Sequence, residues 1–117
     1  MEKENRVSIW LGNFDDQTAF EDYLQETYNE EDDMSSHFTD DFGIPFYDVD
    51  FSEAYFDQKG LQSKILNEFS YADTFKGDVN EALFAGKNAI VVIYDFDYKG
   101  VGEVGAMRFL GRFSFER

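Results

Sequence analysis

The chain has no cysteine, one proline and one histidine among its 117 residues. Without cysteine there is no disulfide scaffold and no thiolate metal site, and a reducing compartment is compatible. The lone histidine, His37, has no second His or Cys with which to build a nucleophile dyad or an ordinary zinc set, so a loop or capping role is expected. No stretch reaches the roughly 18 apolar residues of a membrane span. The start, Met1-Glu2-Lys3-Glu4-Asn5-Arg6, has no apolar core behind it, so a soluble cytoplasmic protein is expected. The largest deficit is of positive charge. Between Arg6 and Lys59 lie 52 residues with no lysine or arginine and 15 aspartates and glutamates. Residues 1–57 carry 17 acids against two bases, whereas residues 58–117 carry eight of each, so the formal charge of −15 resides in the first half. Such a field repels nucleic acid and anionic membranes, and it suits recognition of something basic.

Aromatic residues are plentiful: 14 Phe, seven Tyr and one Trp make up 19% of the chain. That content argues against disorder and for one compact domain, residues 1–117, with an aromatic core under an acidic surface. Val7, Ile9 and Leu11 alternate with Ser8 and Trp10, which reads as a strand. Thr18 and Glu21 fit a capping box opening an amphipathic helix through Phe20, Tyr23, Leu24, Thr27 and Tyr28. Residues 29–36 read as an exposed acidic loop, with Ser35 or Ser36 capping a short helical turn ended by Gly43. Pro45 makes the next segment an edge or a loop, and residues 48–57 are ambiguous between strand and helix. Helical spacing recurs from Gly60 and again from Asp78. The apolar run Ala89–Tyr94 reads as a central strand buried on both faces. Met107, Phe109, Phe113 and Phe115 alternate with Arg108, Leu110, Arg112 and Ser114, as in the second arm of a hairpin with one basic face. The order predicts an α+β fold: a small, mainly antiparallel sheet and about three helices, packed as one pair of layers.

Several familiar motifs fail on context. Gly100-Val101-Gly102-Glu103-Val104-Gly105 has glycine-rich phosphate-loop spacing, but a strand pattern follows it and Glu103 would repel phosphate. Asp41-Phe42-Gly43 spells the kinase magnesium triplet without the rest of the kinase set. Asp48-x-Asp50-x-Ser52 and Asp95-x-Asp97-x-Lys99 begin like calcium loops, yet Glu53 and Lys59, or Lys99 and Ala106, stand at required positions. No metal and no cofactor is expected at a dedicated site, although the run Glu30-Glu31-Asp32-Asp33 could attract divalent ions. Carboxylates are too numerous for any pair to be singled out as catalytic.

The acids are interleaved with tyrosines and phenylalanines, a pattern that suits a protein interface with apolar anchors and charge for steering. The charged surface expected from this reading is Glu26, Glu30, Glu31, Asp32, Asp33, Asp40, Asp41, Asp48 and Asp50, with Tyr28 and Tyr47 as anchors. Val7-Ser8-Ile9-Trp10-Leu11-Gly12-Asn13-Phe14, Phe20–Leu24, Phe38–Ile44, Tyr47-Asp48-x-Asp50-Phe51, Phe69–Asp73 and Asn88–Tyr94, in that order, resemble the bacterial immunity protein 22 family. The matching positions are Trp10, Gly12, Asp41, Gly43, Asp48 and Asp50; Trp10, Gly12 and Gly43 are expected to serve the fold. The resemblance implies an α+β protein that binds and neutralises a cognate toxin domain of a polymorphic toxin system, often a nuclease, without turnover. An acidic inhibitor or adaptor of another basic protein, a calcium-binding protein and a carboxylate-dependent hydrolase remain as alternatives.

Overall fold

The computed structural model describes residues 2–28, 30–31, 34–62 and 64–116. Its elements run β1 (Glu2–Gly12), α1 (Gln17–Leu24), β2 (Thr27–Tyr28), β3 (Met34–Ser35), α2 (His37–Phe42), β4 (Ser52–Phe56), β5 (Ala89–Phe96), β6 (Glu103–Val104) and β7 (Met107–Ser114). A five-stranded antiparallel sheet has the order β4-β5-β1-β7-β6, and β2 and β3 form a separate two-stranded ribbon. The expected α+β class, with a mainly antiparallel sheet, is what forms.

The first strand is the centre of the molecule. Its alternation places Val7, Ile9 and Leu11 on one face and Ser8 and Trp10 on the other, and all five are buried. Trp10 meets Phe38 edge-on at 5.1 Å and lies 5.3 Å from Tyr98 and 5.1 Å from Phe109. Here α1, α2 and the Ile44–Tyr47 segment cover the sheet. Chain 60–86 covers the opposite face through Ile65, Leu66, Phe69, Phe75 and Phe84. This second cover adds a layer to the expected pair, and it explains why β5 is buried along almost its whole length, as its apolar run predicts.

Three local expectations need correction. α1 is capped by Asp16, whose side chain accepts from the Ala19 N–H at 2.8 Å, not by Thr18. It ends at Leu24 because Thr27 and Tyr28 pair with Ser35 and Met34 in the ribbon. The helices expected from Gly60 and Asp78 are short 3₁₀ turns, including Ile65–Glu68 and Glu81–Phe84. Extended Phe69 and Val79 and left-handed Tyr71 interrupt them, leaving each run too short to repay helix nucleation.

The last strand does not pair with β5; β1 lies between them, and the hairpin partner of β7 is β6. The pairing of β7 with β1 slips between Ile9↔Gly111 and Trp10↔Phe109, so Leu110 is the extra residue of a β-bulge. Met107 and Phe109 therefore face the helices while Phe113 and Phe115 face the other core, instead of all four sharing a side. The α2 expectation holds: Ser36 and Thr39 form a capping box, and Gly43 ends the helix at φ 63°, a left-handed conformation that favours glycine.

Candidate functional site

Gly12 and Trp10 are framework. A β-carbon on Gly12 would stand 2.3 Å from Met107 Sδ and 3.0 Å from the Ala106 carbonyl oxygen. Trp10 is fully buried, and its Nε1 has no hydrogen-bond partner among the described residues. Two glycines of the triplet are also structural. A β-carbon on Gly100 would meet the Tyr98 hydroxyl at 2.3 Å, and Gly105 turns β6 into β7 at φ 56°. Asp97 is buried and forms ion pairs with Arg112 and Lys99, so it is committed to its own chain.

The acids expected at the surface divide into two groups. The first surrounds the ribbon and α2. Tyr28, 64% exposed, donates its hydroxyl to Glu26 Oε2 at 3.2 Å, and this bond together with the Glu26 charge raises its pKa. Glu30 and Glu31 are exposed at the ribbon turn, and Asp32 and Asp33 lie outside the described residues. Asp40 is exposed on α2. Asp41, one residue on, is half-buried and accepts from the Tyr23 hydroxyl at 2.9 Å. Burial first, and then this carboxylate, push the Tyr23 pKa well up. Asp41 thus ties α2 to α1.

Tyr47 is placed in the core, 5% exposed and edge-on to Phe38 at 5.9 Å, which corrects its expected role as a surface anchor. Burial first, and then the charge of Glu26, push its pKa up to about 12. By turning inward, Tyr47 leaves its neighbours outside. Phe46, Val49 and Phe51 are 56%, 43% and 46% exposed, and with Asp48 and Asp50 they make the second group. Asp48 Oδ1 accepts from the Asp50 N–H at 3.0 Å and caps the 3₁₀ turn Val49–Phe51. The apparent calcium loop is therefore a capped turn running into β4. Among the described residues, no cluster of three His, Cys, Asp or Glu side chains could hold a metal ion.

The second group borders two hollows. One, of about 360 Å³, is lined by Asp48 and Phe51 together with Glu2, Lys3, Glu4 and Asp95. The other, of about 470 Å³, is lined by Asp50, Phe51, Glu53 and Tyr71. Tyr71 is also exposed, at 43%. The structure thus gathers exposed apolar side chains among carboxylates at Phe46–Phe51, whereas the sequence points to Tyr47. A usable signal was available: of two adjacent aromatic residues in extended chain, only one can face the core.

Among the described residues, no helix is long and apolar enough to cross a membrane. No curated protein and no solved structure gives a significant match to the chain. The model of one family, described as Immunity protein 22, matches residues 7–116. That span takes in Val7–Gly12 of the central strand, both helices, the Asp48–Phe51 turn and β7, so the chain belongs to the Immunity protein 22 family.

Proposed function

We propose that this chain, acting as a single cytoplasmic domain, binds a cognate toxin domain, most simply a nuclease, and blocks it by occupying its basic surface. The observation that carries this reading, beyond the family, is the exposed set Phe46, Val49 and Phe51 held among Asp48 and Asp50 in a stretch without a single base. A nuclease site is positive because it must hold phosphates. Clustered carboxylates would be drawn to that field and raise the encounter rate, by roughly 10–10³-fold where steering is strong. Affinity would come from apolar anchors that lose water in the interface, with rim charges adding mainly rate. Glu26, Glu30, Glu31 and Asp40, which with Tyr28 make the group around the ribbon and α2, add further negative charge for the same purpose, and Asp41 supports that group from behind. No cofactor and no turnover enter this mechanism.

The test is co-purification with the C-terminal domain encoded by the neighbouring gene, followed by a nuclease assay of that domain with and without one equivalent of this protein. A stoichiometric complex that silences cleavage is expected. Absence of any complex would sink the assignment for that pair, and a complex that leaves cleavage untouched would sink occlusion.

A further inference from the structure

The sheet ends differently on its two sides. On one side β6 is only two residues long, Glu103–Val104; on the other, β4 runs five residues, Ser52–Phe56, with β5 as its single neighbour among the described residues. Which backbone groups of β4 face outward follows from its register. The Asp57 N–H donates to the Asn88 carbonyl at 2.9 Å, and the pairs Tyr55↔Ile90 and Glu53↔Val92 continue that ladder. Residues 53 and 55 therefore turn their N–H and C=O groups toward β5, as Asp57 does its N–H, and the alternate residues of the strand turn theirs away. Ser52 agrees, since its N–H folds back to the Val49 carbonyl. The N–H and C=O groups of Ala54 and Phe56 point out of the sheet, and among the described residues nothing bonds to them. Proteins usually blunt such an edge with proline, lysine or a bulge. β4 has no proline, no lysine and no bulge: its sequence is Ser-Glu-Ala-Tyr-Phe, its pairing with β5 runs without a slip, and its one charge, Glu53, is drawn in to Tyr94 and Ser70.

Beside this edge lies a groove of about 540 Å³ between β4 and the 3₁₀ turn Ile65–Glu68. Tyr55, Ile65 and Phe69 give it an apolar lining, and Glu53, Lys64 and Glu68 also border it. The strand and its lead-in, residues 48–57, carry four acids and no base. The exposed rings of Phe51 and Tyr71 stand at its beginning.

We infer that β4 takes up an extended, lysine- or arginine-bearing segment of the toxin domain as a sixth strand of the sheet. The occupant follows from two features. Outward amides and carbonyls in register select an extended backbone, about 17 Å of it for five residues. The carboxylates of the lead-in, Asp48 and Asp50, and Glu68 beside the groove select positive side chains, whose aliphatic stems can lie on Tyr55 and Phe69. The identity of the partner rests on the toxin-binding reading; the open edge does not.

The experiment has two arms on the full chain, each read by amide exchange and chemical shift. In the first, the neighbouring gene's C-terminal domain is added. Exchange at the Ala54 and Phe56 amides is expected to slow about tenfold or more. Ala54→Pro and Ala54→Lys, both confirmed folded by circular dichroism and melting, are expected to weaken the complex about tenfold. Unchanged exchange at both amides, or wild-type affinity of both variants, overturns the added strand and leaves the immunity reading standing. In the second arm the probe is a blocked octapeptide alternating lysine and valine, with a glutamate–valine octapeptide as control. Shifts centred on residues 52–56 with the lysine peptide alone support the edge even if no toxin complex forms, an outcome that would count only against the immunity reading. No shifts with the lysine peptide at millimolar concentration overturn it. A concentration-dependent dimer closing through β4 would also overturn it, by making a second copy the occupant.

Discussion

Glu53 and Tyr94 stand on neighbouring strands, with the Tyr94 hydroxyl 2.5 Å from Glu53 Oε1. The same hydroxyl lies 2.8 Å from the Ser70 carbonyl, and Glu53 Oε1 also accepts from the Ser70 N–H at 2.8 Å. One phenolic proton is shared between two acceptors, and the arrangement ties the outermost strand to the chain that follows the 3₁₀ turn Ile65–Glu68. Tyr94→Phe should remove it and cost about 1.5–3 kcal/mol, the usual range for a hydrogen bond to a charged group. Urea denaturation measures the loss. A variant as stable as the wild type would mean that the tie contributes nothing net.

Alkaline pH should unfold the protein through the same groups. Burial, reinforced for Tyr23 by Asp41 and for Tyr94 by Glu53, raises both tyrosine pKa values well above 10.0, and Tyr47 is raised to about 12. A tyrosine becomes charged when it loses its proton, so the folded state holds these three neutral after the unfolded chain has begun to ionise. Their contribution is complete below about pH 10 and drains away as pH climbs toward the folded values. Ultraviolet titration should show part of the tyrosine signal appearing only together with loss of near-ultraviolet circular dichroism. A smooth titration of all seven tyrosines in a protein that stays folded would contradict this.

What the sequence reveals and what it hides have physical reasons. The alternation of Val7–Leu11, the apolar run from Ala89 and the Ser36–Gly43 helix are all legible, because period and capping are local. The insertion of β1 between β5 and β7 is not, since consecutive strands usually pair and only long-range packing reveals the exception. Nor is the Leu110 bulge, which sends Phe113 and Phe115 to the opposite face from Met107 and Phe109; one extra residue inverts every later side chain. For the candidate site, the acidic segment is legible as a whole. The choice between Phe46 and Tyr47 depends on which ring finds Phe38, and that is a tertiary matter.

Trp10 should be the most expensive residue to truncate. It is fully buried on the central strand and touches five other rings. Trp10→Ala is expected to cost about 3–5 kcal/mol. Trp10→Phe should cost clearly less, because it keeps a ring and removes a buried N–H that has no partner among the described residues. Chemical denaturation of both variants decides this, and equal losses would mean that the indole nitrogen is satisfied after all.

Gly12→Ala should destabilise through crowding. The added carbon would meet Met107 Sδ at 2.3 Å and, less yieldingly, the Ala106 carbonyl oxygen and a Phe14 ring carbon at 3.0 Å. The thioether can swing aside, but backbone cannot do so cheaply, so a loss of about 1–3 kcal/mol is expected. Gly12→Ala with Met107→Ala would separate the two obstacles. If the second change restores nothing beyond its own cost, the backbone contact dominates.

Neighbouring acids on α2 should separate steering from structure. Asp40 is exposed, whereas Asp41 is half-buried and accepts from Tyr23. Neutralising exposed charge in Asp40→Asn, together with Asp50→Asn, should lower the association rate with the toxin domain several-fold, up to about tenfold. It should also flatten the dependence of that rate on salt, with dissociation little changed. Phe51→Ala should do the reverse, speeding dissociation while leaving the salt slope alone, because an apolar anchor acts after encounter. Asp41→Asn should leave both rates near the wild type but lower stability, since Tyr23 would lose a charged acceptor. Stopped-flow association across a salt series, paired with melting curves, reads all three. If Asp40→Asn with Asp50→Asn leaves the association rate and its salt slope untouched, the negative field of this surface is not what brings the toxin in.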